Sequence, residues 1–150
     1  MGNQYGMAQP LPQPPPRIND RKPILCLDFD GVLHSYTSGW QGADVVSDPP
    51  TDGAMVWLSR AVRHFKVAIY SSRSHQPNGI LAMQLWLKLA LARACEDQHE
   101  ASHVYGLIDW PTHKPPAMVT IDDRALTFTG NWSDFAPETL REFQPWNKRA

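Results

Sequence analysis

Short apolar runs alternate with longer stretches of helical periodicity from Ile24 towards the end of the chain. The apolar runs predict strands at residues 24–29, 67–70, 104–108, 117–121 and 126–129. Apolar residues at helical spacing predict helices over residues 54–65, 80–95 and 137–143. Strands that alternate with helices indicate an α/β fold, with a Rossmann-like parallel sheet and helices on both faces. The middle helix is apolar nearly all round, so we expect it to be heavily buried.

Residues 1–23 differ in composition from the rest of the chain, because prolines alternate there with Gln, Gly and Asn. Such a segment is typical of a disordered or polyproline-type tail, which leaves residues 24–150 as the α/β domain. A docking segment for an unknown partner is the alternative for this tail. After the first strand, the glycines and the double proline of residues 31–50 predict a small flap or hairpin.

The composition is that of one soluble globular domain, since 150 residues suffice for an independent core. The formal net charge of −1 gives no reason to expect nucleic acid or an anionic membrane as a partner. Cys26 and Cys95 make no disulfide framework, and no Cys/His spacing indicates zinc. The most apolar stretch, residues 80–94, contains charged residues and is too short to span a bilayer. We therefore expect a cytoplasmic protein with reduced thiols.

Three clusters of polar residues each follow the end of a predicted strand: Asp28 with Asp30, residues 71–73, and Asp122 with Asp123. The carboxyl ends of parallel strands share one edge of a sheet, where ligands bind in open α/β folds, so these clusters should converge. Neighbouring carboxylates need a cation or a proton between them, which indicates a metal site with a catalytic acid. A surface turn that carries acids and glycine is the alternative for the first cluster.

These residues also resemble a known family. The sequence Asp-Phe-Asp-Gly-Val at residues 28–32 resembles motif I of the haloacid dehalogenase superfamily, although many members carry Thr in place of the final Val. Ser71 after an apolar strand is similar to motif II, and Lys114 lies where motif III is expected. The two acids at residues 122–123 resemble the acidic motif IV. The resemblance covers residues 24–124, with the motifs in the family's order.

The resemblance implies Mg²⁺-dependent hydrolysis of phosphomonoesters through an aspartyl-phosphate. Asp28 would attack phosphorus as the nucleophile. Asp30, which the dehalogenase branch lacks, would protonate the leaving oxygen and then deprotonate the hydrolytic water. Ser71 would bind the transferring phosphoryl group, with the adjacent Ser72 as its competitor for that role. Lys114 would neutralise charge in the transition state, unless it is an ordinary solvated lysine of its loop.

The same resemblance implies one Mg²⁺ ion, held by Asp28, by Asp30 through its main-chain carbonyl, and by Asp122, Asp123 or both. Which of the last two is the direct ligand stays open. Neither the flap nor the segment between motifs II and III has room for a folded cap, which implies a minimal-cap member with an exposed site. Its substrate would be a phosphorylated small molecule or a phosphorylated nucleic-acid end, and a homo-oligomer would help to close the site.

Other residues near the same edge would select the substrate. In the flap, His34, Tyr36 and Trp40 would contact the leaving group, and Trp40 would either stack on a base or pin the flap to the core. Four basic residues predict a locally cationic rim: Arg73, His75, His113 and Arg124. Two other functions stay open at this point. One is a phosphatase specific for nucleotides or polynucleotide ends, and the other is a phosphate- or partner-binding module with little catalysis.

Overall fold

A three-stranded parallel sheet organises the computed structural model, which describes residues 22–149. The strands are β1 (Ile24–Leu27), β2 (Lys66–Ile69) and β3 (Val119–Ile121), in the order β2-β1-β3. The helices are α1 (Ala54–Ala61), α2 (Gly79–Ala94), α3 (Gln98–Gly106) and α4 (Pro137–Leu140), and 3-10 turns lie at Trp132–Phe135 and Trp146–Lys148. The predicted α/β class is confirmed. The tail predicted at residues 1–23 lies outside the described residues, except for its last two.

The core lies on the face of the sheet that carries Leu25 and Leu27 of β1. These two residues are in register with Val67 and Ile69 of β2, and Phe29 continues the same row beyond β1. Three helices complete the cluster with Ala54, Met55, Leu58 and Ala61 of α1, Met83, Leu87, Ala90 and Leu91 of α2, and Ala101 and Val104 of α3. Burial of each large aliphatic side chain stabilises the fold by roughly 1.5–3 kcal/mol. The shared core therefore fixes the ends of β1 and β2 relative to each other.

The opposite face of the sheet is covered differently. Cys26 and Ala68 point to this face and are buried, but they lie outside the main cluster. Burial raises the pKa of the Cys26 thiol, while a hydrogen bond with Thr120 and the charge of Lys114 partly offset the rise. The sequence predicted helices on both faces of the sheet. Helices α1, α2 and α3 instead all contribute to the one core cluster that contains Leu25 and Leu27.

Helix α3 occupies a position where the sequence predicted a strand over residues 104–108, and that prediction is wrong. The side chain of Asp97 caps the helix by accepting a hydrogen bond from a backbone N–H of the first turn at 2.9 Å. Ala101 and Val104, three residues apart, face the core as helical neighbours. After the helix, Asp109 forms a single parallel bridge with β2. A short apolar run has the same pattern in a buried strand and in a helix face, so the sequence alone did not separate them.

The last part of the chain also differs from the sequence predictions. Residues 126–129 do not form a strand, and the helix predicted over residues 137–143 is limited to α4. The rings of Phe128, Trp132 and Phe135 pack against one another instead, with centroids between 4.8 and 6.4 Å apart. Tilted and edge-on packing of these rings is found where the β-prone residues predicted strand pairing.

Helix α2 is less buried than its composition predicted. Leu81, Leu85 and Leu89 recur every four residues, and each is more than half exposed. Met83 and Leu87 on the other side are fully buried. A helix that is apolar all round has no polar face to mark its solvent side, so contact with the sheet decides which side is buried. Over residues 22–149, no helix has the length and apolar character needed to cross a bilayer.

Candidate active site

Three carboxylates meet at the carboxyl edge of the sheet. Asp28 directly follows β1, and Asp122 and Asp123 directly follow β3. The parallel pairing continues past β1, because the backbone N–H of Asp28 donates to the carbonyl of Ile121 at 3.0 Å. Each of the three acids offers one oxygen, and these oxygens all lie within 4.8 Å of one another. The structure therefore brings together two of the clusters that the sequence placed at this edge.

Gly31 makes room for this cluster. Its φ of 78° lies in the left-handed region that favours glycine. A Cβ atom on Gly31 would overlap the Oδ2 atom of Asp123 and lie 2.9 Å from its Cγ atom. The Asp123 side chain thus occupies the space that any other residue at position 31 would fill, and the Asp-x-Asp-Gly pattern has a steric reason here.

The cluster has more negative charge than its surroundings neutralise. Burial raises the pKa of Asp28 to about 8, and a hydrogen bond with Asp123 and the charge of Asp122 add to the rise. Among residues 22–149, Arg124 is the one cation paired with these acids, at 3.9 Å from Asp123, and its side chain is 64 % exposed. Three carboxylate oxygens this close together are a donor set suited to a hard divalent ion, and binding of such an ion would favour the ionised form of Asp28.

Asp30 has entirely different surroundings from Asp28. The guanidinium of Arg73 donates to both of its oxygens, from Nε at 2.8 Å and from Nη2 at 3.1 Å. The Nδ1 atom of His34 lies 2.8 Å from Oδ1. Burial by itself would raise the pKa of Asp30, but the hydrogen bonds with His34 and Arg73 outweigh it and hold the pKa below its ordinary value. Asp30 is therefore a carboxylate at neutral pH.

His34 supports Asp30 and does not face a substrate. Its Nε2 atom accepts a hydrogen bond from the backbone N–H of Asp48 at 3.0 Å, so the ring proton resides on Nδ1 and is donated to Asp30. The ring stacks on Phe29 with centroids 5.4 Å apart, and only 1 % of the residue is exposed. The prediction that His34 contacts the leaving group is wrong, because both ring nitrogens are already engaged.

Arg73 is the main residue whose role the sequence reasoning missed. It was predicted to belong to a locally cationic rim beside the site, whereas the structure buries it completely. Besides the pair with Asp30, its Nη1 atom donates to the flap carbonyls of Gly42, Ala43 and Val45, each at 2.9 Å. Arg73 therefore ties the flap to the end of β2. In the sequence, Arg73 lies between Ser72 and Ser74. Two small polar neighbours give little indication that the guanidinium between them is buried.

Trp40 covers the outer side of Arg73. Its ring centroid lies 4.9 Å from the Cζ atom of Arg73, and 48 % of the residue stays exposed. Of the two roles left open by the sequence, pinning the flap is the one that this cation–π contact provides. The contact holds Trp40 over the guanidinium of Arg73, which donates hydrogen bonds to Asp30.

The other predicted phosphate-binding residues surround the site without contacting the acid cluster. Ser71 is buried at the end of β2, where its Oγ atom accepts a hydrogen bond from the backbone N–H of Arg73 at 3.2 Å. The side chain of Ser72 is exposed. Lys114 is also exposed, and it forms no ion pair within residues 22–149.

Trp146 joins the C-terminal segment to the acid loop, which the sequence did not indicate. Its Nε1 atom donates to the carbonyl of Gly31 at 2.7 Å, across 115 positions of the chain. The residue is 55 % exposed, so much of the indole remains open beside the site. No local pattern could have linked these two residues, because the contact depends on the path of the whole chain.

Comparison of the chain with protein-family models, with curated proteins and with solved structures found no match. The chemistry of the site is therefore argued from its own residues. Two features matter most: an acid cluster around Asp28 whose one paired cation within residues 22–149 is the exposed Arg124, and a separate buried pair of Asp30 with Arg73.

Proposed function

We propose that this domain is a Mg²⁺-dependent phosphatase of the haloacid dehalogenase type, which hydrolyses phosphomonoesters through an aspartyl-phosphate. The observation that carries the proposal is the meeting of Asp28, Asp122 and Asp123 at the carboxyl edge of β1 and β3. A solvated surface turn would not raise the pKa of Asp28 to about 8, since water would stabilise the ionised form.

Asp28, Asp122 and Asp123 would hold the metal ion, together with the main-chain carbonyl of Asp30. Both acids after β3 offer an oxygen to the cluster, so we assign both of them to the site. The bound ion would supply positive charge that lets an anionic carboxylate approach an anionic phosphate. Because Gly31 has no side chain, the carboxylate of Asp123 can occupy the space that a Cβ atom would fill.

Asp28 is the nucleophile in this proposal. One of its carboxylate oxygens forms a bond to phosphorus while the bond from phosphorus to the ester oxygen breaks, and the bonding electrons leave with that oxygen. The leaving oxygen then needs a proton. Water later attacks the aspartyl-phosphate, loses a proton to a base, and releases phosphate with Asp28 restored.

Asp30 is suited above all to the second of these proton transfers. Arg73 and His34 keep it ionised, which is the state a general base needs, but the same hydrogen bonds weaken it as a proton acceptor until they loosen. Protonating the leaving oxygen requires Asp30 to carry a proton first, and that requires the pair with Arg73 to loosen. In this proposal, binding of substrate under the flap loosens the pair, since Arg73 also holds the flap carbonyls.

Ser71, Ser72 and Lys114 would bind the phosphoryl group. Ser71 accepts a backbone hydrogen bond, and its own hydroxyl proton meets no acceptor within residues 22–149, so it is available to donate. Ser72 is exposed at the same strand end and offers a second hydroxyl. Lys114 is flexible enough, as an exposed side chain, to turn towards phosphate when the ligand supplies the negative charge.

Phosphate release from a panel of phosphomonoesters, with and without Mg²⁺, tests the proposal. The wild type should release phosphate only with Mg²⁺, and Asp28→Asn should lower the rate by more than about a thousandfold. Glu96→Gln, at an exposed position after α2, is the matched control and should keep the wild-type rate. Near-normal turnover by Asp28→Asn with Mg²⁺ present would rule out the covalent mechanism.

A binding module with little catalysis is the second candidate, favoured by one observation. Asp30 is held as an ion by a buried arginine, which opposes its work as a general acid. Such a module would bind inorganic phosphate in the presence of Mg²⁺ but would not hydrolyse any phosphate ester. Isothermal titration with inorganic phosphate, run beside the release assay, separates the two functions.

A further inference from the structure

A mainly apolar groove of about 550 Å³ lies between the flap and the second half of α2. We call it the flap groove, and its apolar lining includes Pro49, Pro50, Met55, Trp86, Leu89 and Ala90. Leu89 is 52 % exposed although its neighbours in the groove are apolar. Apolar surface gathered in a groove is a common mark of a binding site, because an occupant removes that surface from water.

A second cavity, of about 400 Å³, continues from the flap groove along α1. The two cavities share Met55 and Ala94, and the second one extends along α1 to Arg63. Directly before Arg63, the carbonyl of Val62 accepts a hydrogen bond from the ammonium group of Lys22 at 2.9 Å. Lys22 is therefore fixed beside one end of a continuous depression, and the flap groove forms the other end.

The chain before Lys22 is long enough to follow this depression. Met55 and Val62 are seven positions apart on α1, which corresponds to about 10 Å along the helix axis. The proline-rich residues 10–16 are joined to Lys22 by residues 17–21. An extended chain covers about 3.1 Å per residue, so the six steps from residue 16 to residue 22 cover about 19 Å. Residues 10–16 can therefore reach the flap groove without any change in the described fold.

The chemistry of the groove suits a proline-rich occupant. Residues 10–16 read Pro-Leu-Pro-Gln-Pro-Pro-Pro and carry no charge. Prolines have no backbone N–H, so their burial against helix side chains leaves few donors unpaired. Their backbone is already restricted and loses little entropy on binding, and such segments dock on grooves that contain aromatic rings. Trp86 supplies the ring, and Arg93, an exposed residue of the groove, supplies donors for the carbonyls of the peptide.

The flap groove is linked to Asp30 by hydrogen bonds. Two of its lining residues are bonded to each other, because the Nε1 atom of Trp86 donates to the carbonyl of Asp48 at 2.8 Å. The backbone N–H of Asp48 then donates to His34 at 3.0 Å, and His34 is bonded to Asp30. An occupant that packs on Trp86 and the flap therefore stabilises the side chain that positions Asp30.

We propose that residues 10–16 dock in the flap groove of their own chain and hold the flap against α2. The inference goes beyond the phosphatase function, since it concerns an interaction surface and the segment that covers it. Its tests use no phosphate ester, so failure of the phosphatase proposal leaves them unaffected.

Competition with a separate peptide tests whether the tail occupies the groove. The probe is a synthetic peptide of residues 9–17 with blocked ends, titrated into the full chain and followed by the indole N–H signal of Trp86. Leu11→Asp together with Pro14→Asp, the tail variant, places two charges in the docked segment and should release it. A short tether gives an effective concentration on the order of 1 mM, so it should weaken a peptide with a dissociation constant of about 100 µM roughly tenfold.

The wild type should therefore bind the peptide about tenfold more weakly than the tail variant. Equal affinity for the two proteins would show that the groove of the wild type is not occupied by its tail and would overturn the inference. Absence of binding to both proteins would overturn it as well, because the groove would then not accept this segment.

Two matched controls connect the competition to the groove and to the tail. Within the tail variant, Leu89→Gln should weaken peptide binding at least about fivefold, whereas Leu85→Gln, one turn earlier on α2 and 59 % exposed, should leave it unchanged. In the otherwise wild-type chain, Asn3→Asp with Gln4→Asp adds the same charge outside the docked segment and should keep the weak binding. Equal losses for the two leucine variants would contradict docking in the groove.

Two further measurements examine the occupant and the flap. In sedimentation velocity, association of the wild type that disappears in the tail variant would assign the tail to the groove of a second copy, and the intramolecular docking would be wrong. A monomer in both cases agrees with the proposal. In hydrogen exchange, the backbone N–H of Asp48 should exchange several-fold faster in the tail variant than in the wild type, because its bond to His34 loses support. Equal exchange rates would refute the claim that the tail holds the flap.

Discussion

Replacement of Asp28 and of Asp30 by asparagine is expected to change the stability of the metal-free protein in opposite directions. The two carboxyl groups are separated by one residue, but burial and neighbouring acids raise the pKa of Asp28, whereas His34 and Arg73 lower that of Asp30. Removing the charge of Asp28 therefore removes a repulsion, while removing the charge of Asp30 leaves a buried guanidinium without its carboxylate.

For Asp28→Asn, the size of the effect follows from the raised pKa. A carboxyl group with a pKa of about 8 in the folded protein and an ordinary value of 3.8 binds its proton more tightly when folded. The stability of the wild type should therefore fall as the pH rises from about 4 towards 8, and asparagine does not incur this loss. At about 1.4 kcal/mol per pKa unit, and because solvent still reaches part of the site, we expect a gain of roughly 2–4 kcal/mol near pH 8.

For Asp30→Asn, the cost comes from Arg73. Within residues 22–149, Asp30 is the one carboxylate paired with this buried side chain. Removal of one partner of a buried pair typically costs about 3–5 kcal/mol. Because the pKa of Asp30 is lowered in the fold, its stabilising contribution is present above the ordinary carboxyl pKa and is lost as the pH falls through the lowered value. Asp30→Asn should therefore be markedly less stable than the wild type at neutral pH.

Urea unfolding followed by tryptophan fluorescence measures both effects. The proteins are compared in EDTA at pH 5 and pH 8, with unfolding free energies obtained by linear extrapolation. The advantage of Asp28→Asn should widen between the two pH values, and Asp30→Asn should be destabilised at both. Glu96→Gln controls for the loss of one exposed negative charge and should differ from wild type by less than about 0.5 kcal/mol. Shifts of the same sign for the two aspartate variants would refute the assignment of their charge states.

Three further outcomes follow from the site. Mg²⁺ should displace a proton on binding, so its dissociation constant should rise about tenfold for each pH unit below 8. Calorimetry in two buffers of different ionisation enthalpy measures the number of protons released. Binding of Mg²⁺ without proton release would exclude a protonated acid cluster. Gly31→Ala should weaken Mg²⁺ binding at least about tenfold, because the added Cβ overlaps Asp123, and titration of the purified variant measures this. Gly79→Ala should destabilise the fold by about 3 kcal/mol or more, because its Cβ would overlap the carbonyl oxygen of Arg73, whereas Gly106→Ala, with open space, should be neutral or stabilising. Thermal unfolding measures the stability of Gly79→Ala and Gly106→Ala. Equal losses of stability in these two variants would contradict the steric argument.

The placement of the acid cluster could be predicted from the sequence. Leu25 and Leu27 belong to a short apolar run that fits a buried strand, and acids directly after such a strand lie at the carboxyl edge of a parallel sheet. The same reasoning applied to Asp122 and Asp123, and the structure brings the three acids together. This part succeeded because strand direction and periodicity are local properties of the chain.

The choice between strand and helix over residues 104–108 could not be made in that way. Val104 belongs to an apolar run short enough to suit either element, and the decisive features were the Asp97 cap and the helical contact of Ala101 with the core. Likewise, Leu81 and Met83 of α2 are equally apolar, although one is exposed and the other is buried. Packing against the sheet made both decisions.

The sequence by itself determined which chemical groups are present and at which edge of the sheet they lie. The tertiary structure alone decided which charges they carry, since Asp28 and Asp30 have the same side chain and opposite pKa shifts. It also decided that Arg73 is buried and that Trp146 contacts the acid loop. The physical reason is that desolvation and charge–charge energies depend on burial and distance, and both are set by segments far apart in the chain.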